Sequence, residues 1–379
     1  MSTLNVNTIN AATSGQAVAV DLQNPKSFRN LVINGAMNIA QRTQSHTSAG
    51  GGFVCDRFTY APSGVDGHPT CTQTALTSSD TGPWAKGFRN STRIQNGNQT
   101  GGAGADDSIR IIHKIEAQDI ANSGWDYTSA SSYISFSFWV KSSVAQNFYV
   151  DFRSWDGTQQ GYAMETGSLS ANTWTKVTKK IPGNSNLQFD DNNDKGLEIS
   201  FWMFNGTNST SSVTLDQWGT YSGSARTPDQ TSTWYTTNDA LFSLTGVQLE
   251  VGDVATDFEH RTYADELRRC QRYCYLAADG ASASLGLGTM YTSGSMITVM
   301  PFPVEMRTTP TLSATSGTNY YEFIRDSGTD WFNSFTLDNR TTPQRGEMYN
   351  NSETSGTVGH TGYIRTDNAA VIVYFTAEL

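Results

Sequence analysis

The chain has 379 residues and a formal net charge of −10, with only 16% charged side chains but 16 Tyr, 18 Phe, 9 Trp and 34 Gly. The length allows two or three domains, and the aromatic content excludes a disordered chain. The acidic balance lacks the basic footprint needed for nucleic acid or an anionic membrane surface, so neither partner is expected. It suits a neutral ligand such as a glycan. No apolar run reaches the length of a membrane span, and no membrane insertion is expected. The start, Met1 to Gly15, has neither a basic nor an apolar signal-peptide region, so folding in the cytosol of the cell that makes the chain is expected.

Residues 1–29 hold two short alternating runs, Leu4 to Asn10 and Gln16 to Leu22. Neither can bury much surface alone, which leaves two readings open: a floppy arm, or a segment that orders only by winding with identical copies or by docking on a larger assembly.

Residues 30–260 read as one large all-β domain. Strands are expected at Leu31 to Ile33, Phe53 to Tyr60, Ser108 to Ile115, Tyr133 to Ser142, Asn147 to Arg153, Thr173 to Ile181, Leu197 to Phe204, Val213 to Tyr221 and Leu241 to Leu249. Ile134, Phe136, Phe138 and Val140 alternate with Ser135, Ser137 and Trp139, which places them on one face. Many short strands divided by polar turns indicate a β-sandwich or a barrel.

A short linking helix occupies residues 261–276. Thr262 and Asp265 form the Thr-x-x-acid version of a capping box. Asp265 and Glu266 in the first turn, with Arg268, Arg269 and Arg272 later, compensate the helix dipole. Tyr263, Leu267, Cys270 and Cys274 recur at helical spacing and predict one buried stripe.

Residues 277–379 read as a smaller C-terminal β-sandwich. Its expected strands are Met296 to Phe302, Thr311 to Ala314, Tyr320 to Arg325, Ser334 to Leu337, Gly362 to Arg365 and Val371 to Ala377. Four cysteines, Cys55, Cys71, Cys270 and Cys274, are too few for a disulfide framework and are expected to be buried thiols.

Three blocks carry a resemblance. They are Asn30 to Arg42 (NLVINGAMNIAQR) with Cys55-Asp56-Arg57-Phe58, Val247 to Leu276 (VQLEVGDVATDFEHRTYADELRRCQRYCYL), and Val371 to Leu379 (VIVYFTAEL). Together they resemble bacteriophage tail fibre and receptor-binding proteins. The resemblance implies a homotrimer of the virion, with residues 1–29 as a trimerisation and attachment segment docking on phage tail proteins. It also implies a distal domain that adheres to a host surface polysaccharide or lipopolysaccharide. The large domain more loosely resembles carbohydrate-binding jelly rolls.

Catalysis has little support in the residues. There is no nucleophile motif, no phosphate loop and no zinc-binding His pair. Asp190, Asp191 and Asp194 lack the spacing of a calcium loop and read as a solvated turn. No cofactor, metal or catalytic residue is therefore expected. Aromatic side chains among polar neighbours carry the functional expectation, because a sugar's apolar face stacks on a ring while Asn, Gln and Asp bond its hydroxyls. Tyr320, Tyr321, Trp331, Phe332, Tyr349 and Tyr363 form the glycan-binding set placed on residues 277–379. Trp125, Trp155, Trp218, Trp234 and Tyr235 are comparable in the larger domain. The competing readings are a depolymerase that cleaves the polysaccharide and a carbohydrate-binding module of a secreted enzyme.

Overall fold

The structure is a computed structural model that describes residues 29–325 and 328–379. The expected attachment segment lies almost wholly outside the described residues. The described chain is all-β. In chain order the first thirteen strands are β1 (Ser45–Thr47), β2 (Gly52–Phe53), β3 (Phe58–Ser63), β4 (Thr70–Ala75), β5 (Asn90–Gln95), β6 (Ser108–Glu116), β7 (Tyr133–Ser142), β8 (Tyr149–Ser154), β9 (Gln160–Glu165), β10 (Thr175–Pro182), β11 (Lys195–Asn205), β12 (Trp218–Thr220) and β13 (Leu241–Val251). Ten follow: β14 (Cys274–Asp279), β15 (Ser284–Thr292), β16 (Ser295–Pro301), β17 (Thr311–Ala314), β18 (Tyr321–Arg325), β19 (Gly328–Phe332), β20 (Thr336–Leu337), β21 (Arg345–Asn350), β22 (Thr361–Thr366) and β23 (Ile372–Thr376).

The first thirteen build a jelly-roll-like sandwich. One sheet has the order β1-β4-β5-β13-β7-β10 and the other β12-β9-β8-β11-β6-β3-β2. Ile134, Phe136, Phe138 and Val140 of β7 all point inward and are fully buried, as their alternation predicts. They meet Leu197, Ile199 and Phe201 of β11 across the core. Phe138 and Phe201 pack edge to face at 5.2 Å. The last ten strands form sheets β14-β23-β17 and β19-β18-β22-β15-β16-β21-β20, which enclose a second core around Phe323, Met348, Ile364 and Phe375. No helix among the described residues is long and apolar enough to cross a membrane.

Several expected elements differ. Leu31 to Ile33 is no strand but leads into a turn with Asn34 at φ 61° and Met37 at φ 58°. The buried Asn34 amide donates to Ile39 O and Asp56 O, both at 2.9 Å, and so replaces a ladder with side-chain bonds. Gly35 is required there, because a Cβ would stand 2.0 Å from Val247 O. That approach sits at the β-bulge of β13, where Gly246 takes φ 64°. The run Phe53 to Tyr60 breaks at Arg57, φ 70°. Val213 to Tyr221 shortens to β12, and Ser334 to Leu337 to β20. Strands β1, β4, β5, β9, β15, β19 and β21 lie where no strand was expected, and β14 begins inside the residues expected to be helix.

Two short helices, α1 (Ala117–Ala121) and α2 (Thr233–Thr236), join the expected one, α3 (Tyr263–Gln271). Asp265 N donates to Thr262 Oγ1 at 3.2 Å, so the cap forms. Its reciprocal half differs: Thr262 Oγ1 donates to Asp265 Oδ2 at 2.6 Å. The apolar stripe needs correction at both ends. Cys270 is buried and Leu267 half-buried against Ile33, Ile39 and Tyr273. Tyr263 is exposed, and Cys274 is buried but belongs to β14, because α3 ends at Gln271.

The three resemblance blocks converge on one joint between the two sandwiches. Glu378 near the C-terminus binds Arg42 Nη2 at 2.9 Å and also Arg57 Nη1. Lys114 Nζ donates to Leu379 O at 2.7 Å. Arg272 binds Glu116 at 2.7 and 2.8 Å. Burial raises the Asp56 carboxyl above the usual range, and the Arg42 charge partly offsets it. The acidic loop at 190–194 serves the joint too: Arg307 donates from Nη1 to Asn193 O at 2.9 Å and from Nη2 to Glu378 O at 3.0 Å.

Candidate functional site

The six aromatics singled out by sequence divide by strand face. Tyr321 and Phe332 are 0% exposed. They are Cα partners across β18 and β19, stack at 5.3 Å, and meet Phe335 at 4.8 and 5.0 Å. Both belong to the core and leave the binding set. Tyr320 is half-buried, its ring laid on the Gly317 backbone so closely that a Cβ there would stand 2.5 Å from it.

The other three share the outer face of the seven-stranded sheet. Trp331 is 48% and Tyr363 40% exposed, and Tyr349 is half-buried. The register aligns them in rows. Trp331 stands opposite Glu322, which stands opposite Arg365. Ile324 is opposite Tyr363, and Tyr363 opposite Leu287. Thr289 is opposite Ile297, and Ile297 opposite Tyr349. Side chains at paired positions point to the same face, so each row forms a line across the sheet.

The two ends of this face differ in chemistry. In the first row Arg365 Nε donates to Glu322 Oε2 at 2.7 Å. Burial raises the Glu322 carboxyl, yet hydrogen bonds, first from Arg365, hold it below its ordinary value. An indole, a carboxylate and a guanidinium thus stand side by side, a set that can stack on a ring and bond its hydroxyls. In the middle of the sheet Leu287 is 65% and Val299 51% exposed, with Tyr291 at 64% beyond them. Aliphatic side chains standing in water on the face of a sheet suit contact with protein. Sequence reasoning missed Leu287, Val299, Tyr291, Glu322 and Arg365. Alternation in β15 and β16 is the signal that could have found the apolar ones, but β15 carries a bulge between Ser284 and Gly286 that shifts its phase.

In the large sandwich the aromatic candidates are mostly structural. Trp125, Trp218, Trp234 and Tyr235 are buried. Trp155 is clamped between Arg153 and Lys195, each 3.7 Å from its ring. The buried acids Asp151 and Glu198 both bind Arg226 Nη2, at 3.1 and 3.2 Å, and Trp202 Nε1 donates to Asp151 at 2.6 Å. These bonds hold the two carboxylates as ion-pair partners.

No protein-family model and no curated protein matches the chain. Among solved structures it is similar to the enzymatically active domain of tailspike protein 4 of bacteriophage CBA120, at 12% identity and a TM-score of 0.30, over 59% of this chain and 21% of that one. It is also similar to the xylanase 10B modules of Clostridium thermocellum, at 11% identity and a TM-score of 0.27, over 59% of this chain and 30% of that one. A third is the family 11 carbohydrate-binding module of Clostridium thermocellum bound to a mixed-linked tetrasaccharide, at 10% identity and a TM-score of 0.24, over 57% of this chain and 99% of that one. Identities and scores this low leave the function to the chain's own residues.

Proposed function

We propose that the chain is a non-catalytic structural subunit of a phage tail fibre, a homotrimer of the virion that adheres to a host surface glycan. The observation that carries the glycan reading is the row Trp331, Glu322, Arg365 on the outer face of the C-terminal sheet. An exposed indole beside a hydrogen-bonded ion pair presents a stacking surface and polar groups that need no reordering on binding. The sequence blocks that resemble tail fibre proteins support the virion assignment. Residues 1–29 then form the attachment end. The apolar middle of the same face, Leu287 and Val299, supports contact between copies. Three tethered copies make weak single sites sufficient, because each bound site raises the effective concentration of the next.

Light scattering and host adsorption test this together. The parent chain is expected at three times its 41.4 kDa mass. The variant Trp331→Ala is expected to stay trimeric and lose adsorption. A monomeric parent rejects the fibre reading. A trimeric variant that adsorbs like the parent rejects the glycan site. Release of reducing sugar from host polysaccharide would instead establish the depolymerase.

A further inference from the structure

A cleft of about 530 Å³ opens where the two sandwiches meet, and neither sandwich alone forms it. Its volume falls within the ~300–1,000 Å³ of small-ligand sites, which favour such junctions. One wall is the start of the large sandwich, with Thr43, His46 and Phe53. The other is the outer face of the small three-stranded sheet, with Ser313, Tyr374 and Thr376. Ser313 and Tyr374 are Cα partners, so their side chains stand together on that face.

Arg42 lies between the walls. Its guanidinium carbon is 4.3 Å from the Phe53 ring centre and 5.6 Å from that of Tyr374. The side chain is 9% exposed, and Nη1 has no hydrogen-bond partner among the described residues. One cation thus fixes two half-buried rings, one from each sandwich, while its Nη2 donates to Thr376 Oγ1 at 3.3 Å and to Glu378 at 2.9 Å. Its charge is already matched: Arg42 and Arg57 share Glu378, and Arg42 also faces Asp56 at 3.7 Å. Two cations against two carboxylates leave no net charge to draw an anion.

We infer that this cleft binds a short, neutral oligosaccharide segment, with Phe53 and Tyr374 flanking the sugar and the Ser313 and Thr376 hydroxyls bonding it. The inference rests on the glycan-binding reading of the chain but uses a surface separate from the Trp331 row. A ligand held by both walls is bound only when the sandwiches are docked, so it stabilises the joint by mass action.

The test uses the full chain with maltotriose, cellotriose, xylotriose and mannotriose, read by calorimetric titration and by the unfolding temperature. At least one sugar is expected to bind and to raise the unfolding temperature. Ser313→Trp, which fills the cleft while leaving both ring walls and Arg42 in place, is expected to weaken binding at least about tenfold. Tyr374→Ala should do the same. Loss of binding in Trp331→Ala with retention in Ser313→Trp overturns the cleft and keeps the outer face. Binding by none of the four sugars, or a preference for a uronate trisaccharide over its neutral counterpart, overturns the inference without touching adsorption through Trp331.

Discussion

Arg57 and Tyr273 stack across the joint, the guanidinium carbon 3.4 Å from the centre of the ring. Arg57 comes from the turn before β3 and Tyr273 from the turn between α3 and β14, so the contact locks the end of the helix to the first sandwich. The Tyr273 hydroxyl donates to Glu116 Oε1 at 2.5 Å, and burial pushes its pKa up, so it stays a donor. Glu378 then ties the last residues of the chain to Arg57. The recognisable blocks of this sequence are therefore the parts of a buried, charged joint.

Glu378→Gln removes the carboxylate shared by Arg42 and Arg57 while keeping its shape. Arg57 is 3% exposed and would be left without its carboxylate. Breaking a buried pair from one side costs about 3–5 kcal/mol. Guanidinium chloride unfolding should show a loss of that size. A loss below about 1 kcal/mol would mean that water already reaches the joint.

Trp331 and Phe332 are neighbours in sequence on opposite faces of one strand. Trp331→Ala should change stability by no more than about 0.5 kcal/mol. Phe332→Ala empties part of the stack with Tyr321 and Phe335 and should cost about 3–5 kcal/mol. Equal effects in thermal unfolding would contradict the register of β18 with β19.

His113 is 1% exposed, its ring 4.7 Å from that of Phe58. Burial, then the Arg57 charge, lowers its pKa well below the ordinary 6.5, so the folded ring is neutral. The unfolded chain takes up a proton as pH falls through 6.5 and the folded chain does not. This contribution to stability is complete above that pH and is lost below it, at up to about 1.4 kcal/mol per pH unit, until the folded pKa is reached. Unfolding at pH 7.5 and 5.5 should therefore show a smaller acid loss in His113→Leu than in the parent. Equal losses in both proteins would contradict a buried neutral His113.

All four thiols are buried. Burial pushes Cys71 up to about 12 and Cys270 well above its ordinary value. Thiolate is the reactive form, so Ellman's reagent should label none of the four in the folded protein and all four in denaturant. Rapid labelling of Cys270 without denaturant would show that α3 opens from the joint.

The sequence by itself determined the all-β class, the inward face of β7 and the Thr262 cap of α3. Each rests on contacts within a few residues, where periodicity and side-chain chemistry decide the outcome locally. The depth of Cys270 was legible for the same reason. Only the tertiary structure decided which ring of Trp331-Phe332 faces water, because alternation gives two faces and the pairing of β19 with β18 chooses between them. The bulge in β15 likewise hid Leu287, since one extra residue reverses the phase of a strand. The joint was least legible of all. Arg57, Glu116, Tyr273 and Glu378 look like surface residues in the sequence, and their burial depends on partners more than a hundred residues away that only folding brings within bonding distance.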